Sequence, residues 1–140
     1  MPAEPETQRH ACALISRERG GLKEVLLVER ASNEFYFPGG PHTADDTDLR
    51  NTLARYLKEQ MGLWEEHFEI EPTGIVETFG GNGDIRVIEL FDVALAPGVN
   101  LEPTDAVANI GWHTVSITLG RLTDENERSV MVLAKDYLAG

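Results

Sequence analysis

The sequence predicts an α/β fold, an α/β/α sandwich around a mixed β-sheet. Three observations predict it. Apolar runs of strand length lie on both sides of one amphipathic helical stretch. In that stretch Leu49, Leu53, Leu57 and Met61 recur at helical spacing, so one face is apolar. A second periodic stretch closes the chain, with Val130, Leu133, Ala134, Tyr137 and Leu138 as its expected stripe. Helices placed between runs of strands call for layers packed on both faces of a sheet.

The elements follow in order. Residues 1–8 are polar and contain proline, and read as a loose tail. Ala11 to Ile15 reads as a buried strand, and residues 17–23, with Gly20-Gly21, as a hairpin turn. Val25 to Val28 is a second strand, and Phe35-Tyr36-Phe37 leads into a Pro38-Gly39-Gly40 turn. Proline fixes one torsion there and glycine permits torsions that other residues resist. Asp45, Asp46 and Thr47 are the expected caps of the first helix, and Gly62 its expected end. Beyond it, Phe68 and Ile70 start another strand. Residues 73–79 and 85–95 pair across the turn formed by residues 80–84. Residues 96–106 form a loop, and Ile110 to His113 a short last strand. Thr123 or Asp124 caps the closing helix, with Asp124 and Glu127 at capping-box spacing.

The chain has 140 residues, which suits a single domain over residues 1–140 with a modest core. Its net charge is −12. Such a surface repels phosphate backbones at long range and argues against general nucleic-acid binding. A local cluster of positive charge can still receive a small phosphorylated ligand. Cys12 is the only cysteine, so no intramolecular disulfide forms, and its apolar setting reads as inert core. The absence of an apolar leader or membrane span in the sequence makes a cytoplasmic location the expectation.

The chemistry-bearing residues converge on one segment, residues 35–63. On the helix, Asp48, Thr52, Arg55 and Glu59 fall in one narrow arc, and Tyr56 and Gln60 lie between that arc and the apolar stripe. A glycine-rich turn and a helical edge bearing Arg55 and Glu59 thus come from one continuous stretch. This segment resembles the Nudix (MutT-like) box. That motif runs Gly, five residues, Glu, seven residues, then Arg-Glu-hydrophobic-any-Glu-Glu-any-Gly-hydrophobic. Gly40, Arg55, Leu57, Glu59, Gly62 and Leu63 match it, and Phe37-Pro38-Gly39-Gly40 matches its usual lead-in.

The departures carry as much information. The span from Gly40 to Arg55 is one residue longer than in the motif, so its first glutamate falls at Asp46 or Thr47. Tyr56 replaces the glutamate after the arginine, and Gln60 replaces the second of the paired glutamates. The resemblance implies hydrolysis of a nucleoside-diphosphate-linked small molecule, with Mg²⁺ or Mn²⁺ held on helix carboxylates. It implies Arg55 and Glu59 as catalytic residues and Gly39 and Gly40 as substrate-binding ones. The implied metal set is Glu59, Gln60 and a later-strand carboxylate. Among Glu77, Asp84, Glu89 and Asp92, Glu89 is favoured, because a charge in line with Val87 and Phe91 needs a reason to be there. Asp48 is the expected ion-pair partner of Arg55, the pair that in the family braces loop against helix.

Hard cations want several oxygen ligands, and Glu59 alone brings charge here. Gln60 adds only a neutral carbonyl, and a neutral Tyr56 phenol is a poor ligand. The reading favours a hydrolase with an altered box, in which substrate phosphates complete a weak metal site. The alternative is a Nudix-fold module that binds a nucleotide or regulates without catalysis. A third reading is a structural or oligomer-forming protein, a homodimer with residues 64–68 as its contact. Trp64 and Trp112 read as core or rim, and His42 as a loop residue near any bound phosphate.

Overall fold

The computed structural model describes residues 7–81 and 83–140. Residues 1–6 of the expected tail and Asn82 of the expected turn lie outside them. The chain runs β1 (Thr7–Leu14), β2 (Ser16–Arg19), β3 (Leu22–Ala31), β4 (Glu34–Tyr36), β5 (Gly39–Pro41) and α1 (Leu49–Met61). A 3₁₀ turn (Glu65–His67) then leads into β6 (Phe68–Gly81), β7 (Asp84–Leu95), β8 (Asn109–Thr114), α2 (Val115–Arg121) and α3 (Glu125–Ala139).

The fold class is α/β, as expected, with the strands divided between two sheets. The first is mixed, in the order β5-β1-β7-β6, with β1 parallel to β7 and the other pairs antiparallel. The second joins β2, β3 and β4, with β8 added antiparallel on β3. Thr7 and Gln8, expected in the tail, pair with Ile85 and Arg86 instead.

Alternation along β1 explains the layers. Ala11, Ala13 and Ile15 pack with Leu53, Leu57 and Met61 of α1 and with Phe91 and Val93 of β7. Cys12 and Leu14 face the other way, with Ile88, Leu90 and the α3 residues Val130, Met131 and Ala134. Each large buried apolar side chain contributes roughly 1.5–3 kcal/mol.

Several boundaries differ from expectation for local reasons. The cap of α1 is Asp48, whose carboxylate accepts from the Asn51 N–H at 2.7 Å. Gly39 and Gly40, read as a turn, form the short strand β5 against Cys12 and Ala11. The strands expected at 68–70 and 73–79 are one strand, β6, with an irregularity between Pro72 and Val76. On α3 the buried stripe is Val130, Met131, Ala134 and Leu138, while Leu133 and Tyr137 are exposed. Tyr137 turns outward because its hydroxyl donates to the Asp92 carboxylate at 2.7 Å. Helix α2 had no strong sequence signal. Val115, Ile117 and Thr118 are β-branched, and Gly120 is a weak helix former. Its start is fixed by Thr114, whose hydroxyl accepts from the Ile117 N–H. Among the described residues, no helix is long and apolar enough to cross a membrane.

Candidate functional site

The site is built where strand β5 lies close between β1 and α1. Gly39 has φ +127°, and a Cβ there would lie 2.0 Å from the Ala11 carbonyl oxygen. A Cβ on Gly40 would lie 2.6 Å from the Tyr56 ring. Only glycine lets β5 pair with β1 on one side while α1 closes on the other.

Helix α1 grips this corner through three side chains. The Gln60 amide pairs with Gly39 twice. The Gly39 N–H donates to Oε1 at 3.0 Å, and Nε2 donates to the Gly39 carbonyl at 3.1 Å. The Tyr56 hydroxyl donates to the Pro41 carbonyl at 2.9 Å. Arg55 lies over the Tyr56 ring, 4.3 Å from its centroid, and reaches the Pro41 carbonyl at 3.5 Å.

Arg55 takes its principal partner from the loop. Nε and Nη2 each donate to the Asp46 carboxylate at 2.9 Å, a two-pronged ion pair. Asp46 is almost fully buried and also accepts from Thr52 Oγ1 at 3.0 Å and the Thr43 N–H at 3.0 Å. The hydrogen bonds from Arg55 hold the Asp46 carboxyl well below the usual range, and the reciprocal bonds push the Arg55 guanidinium up. Asp48, expected as the partner of Arg55, is occupied as the cap of α1. Asp46, one of the two positions where the motif's first glutamate falls, takes that place instead. His42 Nδ1 lies 2.8 Å from Thr52 Oγ1, at the edge of the same network.

The expected metal set is not gathered in one place. Glu59 is half-exposed, its carboxylate 3.5 Å from Arg55 Nη1, in the last turn of α1. Gln60 is 5 % exposed, and Gly39 takes up its carbonyl oxygen. Glu89 lines a hollow with Arg9, His42, Asp48, Leu49 and Arg50, at the first turn of α1. Ten residues of helix separate that turn from Glu59, about 15 Å at 1.5 Å per residue. Among the described residues, no three His, Cys, Asp or Glu side chains cluster closely enough to hold a metal ion. The donor set points the same way. A hard cation wants charged oxygens, and this corner presents an amide and a phenol already hydrogen-bonded. These residues do not fit a box-held divalent ion.

Two arginines and two carboxylates meet on the opposite side of the corner. A small hollow is lined by Gly39, Gly40 and Pro41 together with His10, Arg30, Arg86, Asp124 and Glu127. Arg30 lies over Tyr36, 4.3 Å from its centroid, and reaches the Gly39 carbonyl at 3.4 Å. Arg86 pairs with Asp124 at 2.6 Å and approaches Glu127 at 4.0 Å. The hollow shares Arg86 with an open cleft of about 800 Å³ that also carries Arg9, His42, Phe79 and Asn126. The ion pairs among the described residues do not include Arg9 or Arg30. Burial, with Arg86 beside it, lowers His10 to about 4, so it is neutral at pH 7.

Glu127 is the least expected member. Its Oε1 accepts from the Phe37 N–H at 2.7 Å instead of closing a capping box on Asp124. Burial raises its carboxyl to about 7. The residues expected from the sequence include neither Arg30 nor Arg86. A signal existed for Arg86, which shares a face of β7 with Ile88 and Leu90. Arg86, like Glu89, is a charge in line with apolar neighbours.

No family model and no curated protein matches the sequence. Solved structures do. A Caenorhabditis elegans Ap4A hydrolase in a binary complex superposes with a TM-score of 0.76 at 17% identity, over 95% of this chain and 98% of that one. The Nudix domain of Shewanella oneidensis NrtR, complexed with ADP ribose, gives 0.70 at 18% identity, over 99% and 90%. This chain has the Nudix fold. The MutT protein of Methanosarcina mazei Go1 gives 0.70 at 20% identity, over 99% and 97%. Within this Nudix fold, α1 and the glycine corner are the parts that the sequence resemblance singled out. The identities are too low to carry activity across.

Proposed function

We propose that this Nudix-fold chain binds a small phosphorylated, nucleotide-like molecule at the arginine-lined hollow beside Gly39 and Gly40, and that it does so without box-metal hydrolysis. One observation carries the reading. In a protein of net charge −12, Arg30, which is in none of the ion pairs among the described residues, lines the same hollow as the two glycines, with Arg86 beside it paired to Asp124. An anion is attracted there against the field of the whole surface. The adjoining cleft of about 800 Å³ has room for the remainder of a nucleotide-sized ligand. Ligands named with the structural neighbours, ADP ribose and Ap4A, are the natural first probes.

This reading moves the balance from an altered hydrolase to a binding or regulatory module. The Gln60 amide, spent on Gly39, supports that move. The hydrolase remains the second reading, because Glu59 is half-exposed beside Arg55. There Glu59 and the substrate's own phosphates would share a Mg²⁺ or Mn²⁺ ion. Action as one domain in the cytoplasm belongs to the same proposal.

The test is thermal unfolding with ADP ribose, diadenosine tetraphosphate and nucleoside triphosphates, each in EDTA and in Mn²⁺, together with an assay of product release. Expected is a rise in Tm in EDTA that Arg30→Ala abolishes, with no turnover above a Glu59→Gln control. Metal-dependent turnover that Glu59→Gln removes would establish the second reading instead.

A further inference from the structure

We infer that Tyr56 and Gln60 are an internal substitute for a divalent cation, so that the glycine corner is assembled without metal and becomes metal-dependent once carboxylates stand at those two positions. The inference concerns the same corner as the proposed ligand site. It is tested without nucleotide, so either can fail alone.

Two backbone carbonyls of β5, those of Gly39 and Pro41, meet side chains from α1. Carbonyl oxygens are acceptors only and need a donor or a cation when they are shielded from water. Positions 56 and 60 are four apart on α1, hence on one face of the helix. Each supplies a donor to one of the two carbonyls. Gln60 Nε2 serves Gly39 at 3.1 Å, and the Tyr56 hydroxyl serves Pro41 at 2.9 Å. Gln60 adds an acceptor for the Gly39 N–H at 3.0 Å. The strand edge takes its shorter hydrogen bonds from these neutral groups, while Arg30 and Arg55 reach the same two carbonyls only at 3.4 and 3.5 Å.

Carboxylates at the same two positions would invert this arrangement. Ionised carboxylates accept and do not donate. Both carbonyls would then face acceptors from positions 56 and 60, with Glu59 adjacent on the helix and only the long contacts from Arg30 and Arg55 left as donors. Oxygens crowded in this way are repelled unless a hard cation sits among them, and backbone carbonyls and carboxylates are the ligands such cations take. Shortening the side chain at 56 would also clear the space beside Gly40 that the tyrosine ring now fills.

The experiment compares the wild-type protein with Gln60→Glu and with the double variant Tyr56→Glu/Gln60→Glu. Mn²⁺ binding is followed by electron paramagnetic resonance, and Tm is measured in EDTA and in millimolar Mn²⁺. The wild type should bind no Mn²⁺ at the corner and keep the same Tm in both media. The double variant should lose several degrees in EDTA, regain most of that loss in Mn²⁺, and bind about one ion per chain. A wild type that loses stability in EDTA overturns the inference. So does a folded double variant that binds no more Mn²⁺ than the wild type. If the double variant does not fold, Gln60→Glu alone decides. A larger Mn²⁺-induced rise in Tm than the wild type supports the inference, and an equal one overturns it.

Discussion

The Asp46 carboxylate and the Arg55 guanidinium meet through two 2.9 Å hydrogen bonds, one side chain from the loop and the other from the helix it leads into. Asp46 is nearly buried, so removing it strands a partly shielded guanidinium and unpairs the Thr43 N–H. Asp46→Ala should cost about 2–3 kcal/mol. Asp48→Ala, two residues away, loses only a helix cap and should cost about 1 kcal/mol. Urea denaturation of the two variants checks the difference, and equal losses would remove Asp46 from its bracing role. The pH dependence has a definite sign. The Asp46 carboxyl is depressed in the folded state, so its contribution is present above the ordinary value of 3.8 and is lost as pH falls below it. Wild-type stability should therefore drop more steeply on the acid side of pH 4 than that of Asp46→Ala.

Gly39→Ala should be among the most damaging single methyl additions in the chain. The new atom would lie 2.0 Å from the Ala11 carbonyl oxygen, and the backbone torsion of +127° disfavours any side chain. Neither contact partner is the free end of a flexible side chain, so the strand pair must open. The expected loss is about 4 kcal/mol or more, seen as a large fall in urea midpoint or as failure to accumulate folded protein. At Gly20, in an open hairpin turn with nothing within 4 Å, the same change should cost far less.

The sequence disclosed the elements better than their partners. Periodicity located α1 and α3, and the apolar runs located most strands, because these patterns are set by neighbours along the chain. What escaped was decided across it. Asp46 and Asp48 look interchangeable in sequence, and the loop's path alone makes one a cap and the other a brace. Glu127 has capping-box spacing, yet it answers to Phe37 in a distant part of the chain. Gln60 was assigned a free carbonyl because only the folded corner brings Gly39 against it. Arg30 and Arg86 became a pair only when β3 and β7 were brought around the glycines.

Glu127→Gln should flatten the stability profile between pH 4.5 and about 7. The buried carboxyl keeps its proton up to about 7, against an ordinary 4.5, so the folded state binds more protons than the unfolded one in that window. Stability then falls as pH rises through it. The nearby Asp124 pushes in the same direction, and Arg86 and Arg30 oppose it. Glutamine cannot ionise, and its carbonyl still accepts from the Phe37 N–H. The variant should gain stability at pH 8, by about 3 kcal/mol at most. Parallel wild-type and variant profiles from urea midpoints at pH 5 to 8 would exclude this.

Stabilisation by a phosphorylated ligand should weaken as salt is raised. The attraction of Arg30 and Arg86 acts partly through open solvent, where the screening length shrinks to about 3 Å at 1 M salt. The Tm increment produced by ADP ribose should fall severalfold between 0.05 and 0.5 M NaCl, measured against the unliganded protein at each concentration. An increment independent of salt would assign recognition to uncharged contacts in the cleft.

Strand β1 pairs in parallel with β7 from Thr7 to Leu14, joining residues that lie far apart in the chain. The glycine corner rests on β1 from one side, and β7 supports β1 from the other. A nascent polypeptide therefore has no finished seat for the corner until Asp92 has left the ribosome. Until then an apolar strand waits with one edge unpaired, the situation in which slow folding and self-association compete. Deletions near Asn109 that spare both strands should leave this assembly step intact, whereas interrupting translation before β7 should release a chain that needs chaperones.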